Sequence, residues 1–342
     1  MPVINERNSF EIMSVLICKK CGDVLIKKID NYHCNSCHSQ YPIVNGIIDF
    51  KEDNKHIDLR IPKELLNIHE FITRRKFFDR IVESDVEYYG RLHSIEFVNL
   101  HHDHLKPYLK FSKIIDLGCG QIPYLNAFNE NEVSEYYGVD LSRESLNIVK
   151  NSFTGLFPLI LIRHNILNTP FANESCDIVI SSEVIEHIDE PHLYLKEANR
   201  ILKNGGYLSL STPCVSMYFY PHNFYFAARH PKKFQKMVNP HKYWNEALKW
   251  HPGLRPKILR RWVEQEGFEI FKHQTILWYY ATPIKLTWRI FSLLENFGVR
   301  NSGKVFYNYL KLLDNMLSLH IPVLKWLGIR QFVLAQKRYD AK

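Results

Sequence analysis

An apolar run that ends in a glycine loop constrains this chain more than any other feature: Ile114-Ile115-Asp116-Leu117-Gly118-Cys119-Gly120. A second run, Tyr137-Gly138-Val139-Asp140-Leu141, brings an acidic residue twenty positions after Gly120. From Ile114 onward, short apolar runs alternate with helical segments, which predicts an α/β domain with a mostly parallel sheet. Both runs then end on one rim. Gly118 and Gly120 let a ligand approach the backbone where the strand turns into a helix, and Asp140 is positioned to accept hydrogen bonds from ribose hydroxyls. By itself this pattern fits any nucleotide-containing cofactor.

Two residues argue against a dinucleotide. Its fingerprint wants glycine where the chain has Pro123, and Asp116 would repel a pyrophosphate. The same carboxylate would attract the cationic amino-acid end of S-adenosylmethionine, directly or through water. Further on, ILNTPFANESCDIVISSEVIEHIDEPHLYLKEANRILKNGGYLSLSTP begins at Ile166. Over roughly residues 112–275 the chain resembles class I S-adenosylmethionine-dependent methyltransferases of the methyltransferase-11 type, near the ubiquinone-biosynthesis O-methyltransferases. That resemblance implies a Rossmann-like, seven-stranded sheet whose last strand, near Gln331–Ala335, inserts antiparallel. It also implies cofactor contacts from Asp116, Gly118, Cys119, Gly120, Asp140, Leu141, Asn165, Ile166 and Ser182. Two positions depart from the pattern: Ile122 replaces a small residue of the glycine loop, and Asn165 replaces an aspartate facing the adenine amino group. An Asn carbonyl still accepts from that amino group, without charge.

Cys18-Lys-Lys-Cys21 and Cys34-Asn-Ser-Cys37 form two C-x-x-C knuckles twelve residues apart. The spacing suits a closed, structural Zn2+ site of four thiolates, with the intervening segment as a hairpin; disulfides or free thiols are the alternatives. Residues 14–52, which end in Tyr41-Pro42-Ile43-Val44-Asn45-Gly46-Ile47, are similar to the zinc-ribbon proteins that activate methyltransferases. The resemblance implies a fused scaffold over residues 1–52, and a nucleic-acid-binding ribbon is the alternative. Residues 53–110 read as a linker and N-terminal helices, and 111–342 as the catalytic domain.

Methyl transfer is an in-line displacement, aided by a base when the acceptor is a hydroxyl. Glu183, Glu186 and His187 stand at i, i+3 and i+4, a spacing that puts them on one helical face. In relatives that methylate quinone precursors, a similar cluster meets a divalent metal or acts on the substrate hydroxyl. A capped helix start is the structural alternative. An aromatic stretch, residues 214–255, is expected to form the substrate lid, with His222, His230 and His241 as further bases or as packed residues. Tyr88, Tyr89 and Arg91 resemble a pair that closes over the cofactor, although helix packing explains them equally.

Residues 276–328 read as two amphipathic helices inserted before the last strand. Ile284, Trp288, Phe291 and Leu294 share one face; Phe306, Leu310, Leu313 and Leu317 share another. These faces pack on the lid or sheet, or form an oligomer or lipid surface. The +8 net charge favours an anionic partner, but 36 acidic residues are interspersed with the basic ones. No signal-peptide core or membrane span is legible. The expected protein is cytoplasmic, with peripheral membrane contact through 276–328 as a variant. Its expected acceptor is a small molecule, glycan or lipid-linked intermediate; RNA is the second reading and a non-catalytic cofactor-binding scaffold the third.

Overall fold

The computed structural model describes residues 15–50, 100–120, 122, 124–188, 190–214, 254–276 and 330–339. Four short strands come first: β1 Leu25–Lys27, β2 Asn31–Cys34, β3 Gln40–Val44 and β4 Ile47–Asp49. The central strands are β5 Ser112–Leu117, β6 Val133–Asp140, β7 Leu159–Arg163, β8 Cys176–Ser182 and β9 Leu202–Pro213. β10 Phe268–Ile276 and β11 Arg330–Lys337 complete the series. Among the described residues, helices α1 Arg143–Ser152, α2 Pro191–Ile201 and α3 Pro256–Gln265 connect strands, and residues 100–105 are helical ahead of β5.

Among the described residues the sheet has eleven strands in the order β1-β2-β3-β4-β7-β6-β5-β8-β9-β11-β10. β5 to β11 make up seven of these strands, and the N-terminal strands do not stand apart as a separate module but extend the same sheet. β4 pairs with β7 in parallel, Ile47 opposite Leu161 and Asp49 opposite Arg163. β5 to β9 are mutually parallel, whereas β11 runs antiparallel between β9 and β10.

The strands form because Ile, Val, Leu and Tyr fill both their faces; Ile114, Ile115, Tyr136, Tyr137, Ile178 and Val179 are fully buried. Parallel strands covered on both sides read as continuous apolar runs, which is how β5, β7 and β8 look in the sequence. α1 is capped by Ser142, whose Oγ accepts from the Ser145 amide at 3.2 Å, and Glu144 in the first turn suits the positive helix end. Pro191 opens α2, where its missing N–H costs nothing.

One core combines Leu16, Leu25, Tyr41 and Phe50 with Ile115, Leu117, Tyr137 and α2 residues such as Leu195. A second, on the other sheet face, holds Leu105, Ile114, Tyr136 and Leu146. The N-terminal module is also stitched to the loop before β8, where Ile17 donates to the Pro170 carbonyl and Ala172 to the Val15 carbonyl, both at 2.8 Å. No helix among the described residues is long and apolar enough to cross a membrane.

Candidate functional site

The chain goes from β5 to β6 and β7 on one side, then to β8 and β9 on the other. Ligands in such sheets bind in the crevice outside the carboxyl ends of the strands at this switch point. Gly118 and Gly120 after β5, Asp140 closing β6, and Ser182 and Glu183 at the end of β8 all lie on that rim.

The glycine loop requires its glycines. Gly118 has φ +76°, and a Cβ there would come within 2.7 Å of a Val184 methyl group. Gly120 has φ +53° with open space where a Cβ would project, so a ligand can reach its backbone. Asp140 Oδ2 accepts from the Gly120 amide at 2.9 Å and Oδ1 from the Ser142 amide at 2.8 Å. Each oxygen keeps a lone pair for a ribose hydroxyl. Cys119 and Ile122 pack over Gly138, and Cys119 is buried.

Asp116 differs from expectation. It is fully buried, and its Oδ2 accepts from the hydroxyls of Tyr124 and Tyr136, each at 2.7 Å. Burial raises its carboxyl to about 7 against the pull of the two tyrosines, with the Asp140 charge adding to the rise. Near neutrality it is only partly ionised, so its attraction for an ammonium group is weaker than the sequence alone suggests. Oδ1 is buried with no hydrogen-bond partner among the described residues, an acceptor that an amino group or bridging water would satisfy. Asn165 also departs: its Oδ1 accepts from the Leu167 amide at 2.8 Å, which leaves one lone pair for an adenine amino group. Ile166 is buried beside it, and the Leu141 carbonyl accepts from Arg163 Nε at 3.1 Å. Taken together, the glycine cradle, the Asp140 carboxylate and the orphaned Asp116 oxygen fit S-adenosylmethionine.

Glu183 and Glu186 do not share a helical face. Glu183 has φ +56°, and only Ile185–His187 form a short 3-10 turn, because Val184 turns inward onto Gly118. Both carboxyls are nonetheless drawn into one polar cluster. Glu183 pairs with Arg330 at 3.3 Å, and Glu186 accepts from Thr212 Oγ1 at 2.8 Å. Burial raises Glu183 to about 7, with Arg330 opposing and Glu186 reinforcing the shift. Burial likewise raises Glu186 to about 7, against its own backbone amide, Thr212 and Arg330. Ser182 Oγ lies 3.3 Å from Ser211 Oγ, which in turn lies 3.4 Å from Nε2 of the buried His101. Burial and then the nearby His104 lower His101 to about 3, so it stays neutral. Arg330, Ser211, Thr212 and His101 carried no sequence signal. The side chain of His187 lies outside the described residues, as do His222, His230, His241, Tyr88, Tyr89, Arg91, Pro123, nearly all of the lid and the body of the 276–328 insertion.

The four cysteines converge. The Sγ atoms of Cys18, Cys21, Cys34 and Cys37 all lie within 4.8 Å of one another, with 3.4 Å between Cys18 and Cys37 and between Cys21 and Cys34. These distances bracket the roughly 3.8 Å separating thiolates around a tetrahedral zinc, and none is a disulfide length. The residues after the knuckles, Gly22 and His38, both have positive φ, 79° and 60°. Their amides return to the Cys18 and Cys34 carbonyls at 2.8 and 2.9 Å. Tyr41 Oη adds a contact to Cys18 Sγ at 3.2 Å. Among the described residues this is the one cluster of three or more groups able to hold a metal; the expected divalent site at Glu183, Glu186 and His187 includes a side chain that lies outside those residues.

The fold and the rim define an α/β protein with a site for a nucleoside-containing, cationic cofactor. Residues 115–210 match the methyltransferase domain family. An uncharacterized methyltransferase of Mycobacterium tuberculosis is 34% identical over 98 residues, 29% of this chain and 38% of the relative. A demethylmenaquinone methyltransferase of Staphylococcus aureus is 26% identical over 167 residues, 46% of this chain and 68% of the relative. Among solved structures, an S-adenosylmethionine-dependent methyltransferase from Mesorhizobium loti aligns with TM-score 0.44 and 15% identity, covering 69% of this chain and 96% of that one. The aligned part spans just over a third of the length of the mycobacterial relative. The match gives residues 115–210 a methyltransferase-type domain.

Proposed function

We propose that this protein transfers a methyl group from S-adenosylmethionine to an oxygen or nitrogen atom of a small-molecule, glycan or lipid-linked acceptor. The observation that carries the reading is the contact of Val184 with Gly118, which joins the glycine loop to the turn bearing Glu183 and Glu186. It sets a proton-accepting cluster directly beside the cofactor cradle.

In this reading Asp140 holds the ribose hydroxyls, the Gly118–Gly120 backbone flanks the amino-acid end, and Asn165 and Ile166 border the adenine. The bound cofactor supplies an electrophilic methyl group on sulfur. Glu183, poised near neutrality and held by Arg330, takes the proton from an acceptor hydroxyl or amine. Glu186 and Thr212 fix the floor of the same cluster. Catalysis then rests mainly on alignment, with the carboxylate adding to it. The four cysteines hold a structural Zn2+ that supports the N-terminal strands. The similarity to a protein named for demethylmenaquinone favours a small ring acceptor over RNA.

The test supplies labelled S-adenosylmethionine and purified protein to extracted lipids and quinones, to glycans and to total RNA. Label in the lipid, quinone or glycan fractions is expected; label in RNA alone would refute the proposal. Flotation with anionic vesicles, compared with a protein lacking 276–328, tests membrane contact through that insertion.

A further inference from the structure

A buried carboxylate outside the cluster just described belongs to the N-terminal module and meets two arginines. Asp49 closes β4, is 4% exposed, and faces Arg163 across the parallel β4–β7 pair; Arg163 in turn faces Asp140 across β7–β6. The rim thus carries a minus-plus-minus series over three adjacent strand ends. Asp49 Oδ2 accepts from Arg163 Nη1 at 3.4 Å and also pairs with Arg143, the first residue of α1. Arg163 Nε meanwhile holds the Leu141 carbonyl at 3.1 Å. Arg163 therefore grips the segment that follows Asp140 at Leu141, Arg143 ends that segment two residues later, and both are anchored to a single buried carboxylate from the other module.

From this geometry we infer that Asp49 is a positioning residue for the ribose site, which rests on the methyltransferase reading above. It acts in two ways. By holding Arg163, it fixes the Leu141 carbonyl and so the direction in which Asp140 leaves β6. By occupying two guanidinium groups, it keeps them from pairing with the Asp140 carboxylate, which must stay free to accept from hydroxyls. Arg143 also sits at the positive end of α1, an unfavourable place for a cation that a neighbouring carboxylate offsets. Without Asp49, Arg163 still faces the Asp140 carboxylate across the β7–β6 pair and is left to recruit it.

The experiment is titration calorimetry of the full-length protein with S-adenosylhomocysteine and with its 2′,3′-dideoxy analogue, alongside thermal melting and zinc content. Asp49→Asn is expected to weaken S-adenosylhomocysteine about tenfold, the scale of a coupling between linked sites, with little change for the dideoxy analogue. Asp49→Glu should recover part of the loss. Arg143→Gln, at a side chain 35% exposed, keeps the test open if Asp49→Asn fails to fold, and should weaken the ribose-bearing ligand in the same selective way. Wild-type affinity in folded Asp49→Asn and Arg143→Gln, or an equal loss for both ligands, overturns the inference while leaving the methyltransferase reading intact. Absence of binding by the wild-type protein removes that reading and the inference with it.

Discussion

Replacing Glu183 by Gln separates two consequences of burying a carboxylate beside a reacting group. A free Glu ionises near 4.5, whereas burial moves Glu183 to about 7 in the folded protein. Between those values the folded chain keeps a proton that the unfolded chain has released, so unfolding is accompanied by proton loss. The stability associated with this group is complete below pH 4.5, falls across the window, and is gone above pH 7. At 1.36 kcal/mol per unit, the shift corresponds to roughly 3 kcal/mol. E183Q lacks this titration. Its unfolding free energy relative to wild type should therefore rise by up to about 3 kcal/mol between pH 4.5 and 8, as read from urea denaturation at several pH values. The same substitution removes the proton acceptor and should lower kcat by about 10²- to 10⁴-fold. In the wild-type protein kcat should rise with pH through about 7, and at pH 6 should stand about tenfold below its plateau. A stability difference that does not change with pH would mean that Glu183 is not desolvated, and a wild-type rate flat from pH 6 to 8 would remove it as the base.

Three further outcomes follow from the same contacts. Stripping zinc with a chelator should unfold the N-terminal module and lower the melting temperature of the whole chain, because metal binding worth roughly 10–16 kcal/mol is lost from a module that shares a core with the sheet; an unchanged melt after confirmed metal loss would contradict this. Gly118→Ala sets a methyl group against Val184 at a φ of +76° and should cost roughly 1–3 kcal/mol as well as cofactor affinity. Adding Val184→Ala should recover part of both, and an unaffected single variant counts against the described loop. Asp140→Asn keeps most of the loop's shape but loses the charged acceptor, so S-adenosylhomocysteine should bind about tenfold more weakly, each hydrogen bond to a charged group being worth roughly 1.5–3 kcal/mol; equal binding would remove Asp140 from the ribose site.

The parts of this protein that can be read from the sequence are those whose determinants lie close together in the chain. Strands β5, β7 and β8 announce themselves because burial on both faces demands largely apolar runs, and the glycine loop because a positive φ at Gly118 and Gly120 leaves few other residues. The cysteine knuckles are legible for the same reason: metal coordination dictates spacing. Glu183 and Glu186 were visible as residues but not as geometry. Their spacing suggests a helix, yet Val184 packing on Gly118 turns the backbone at Glu183 into the left-handed region. Arg330 follows the long insertion, and nothing local marks it as the partner of a carboxylate at the end of β8. Asp49 is hidden by distance as well, with its two arginines 94 and 114 residues away.

The junction at β4 also changes what the N-terminal module is for. Without it, β7 with its sequence Leu-Ile-Leu-Ile-Arg would be an edge strand, and exposed apolar edges pair with other chains. β4 covers that edge by its own hydrogen bonds, so the module completes the sheet. The covered edge is the one that ends at Arg163, beside the β6 terminus and Asp140. Protecting β7 and orienting the ribose site thus require the same few residues, Ile47 to Asp49. A module retained only for solubility would need the apolar pair Ile47 and Ile48 but not a buried carboxylate at the next position. Burying Asp49 under two arginines costs desolvation that a neutral residue would avoid, and such pairs contribute little net stability. Its position at the strand end nearest the cofactor loop is therefore better explained by positioning than by stability.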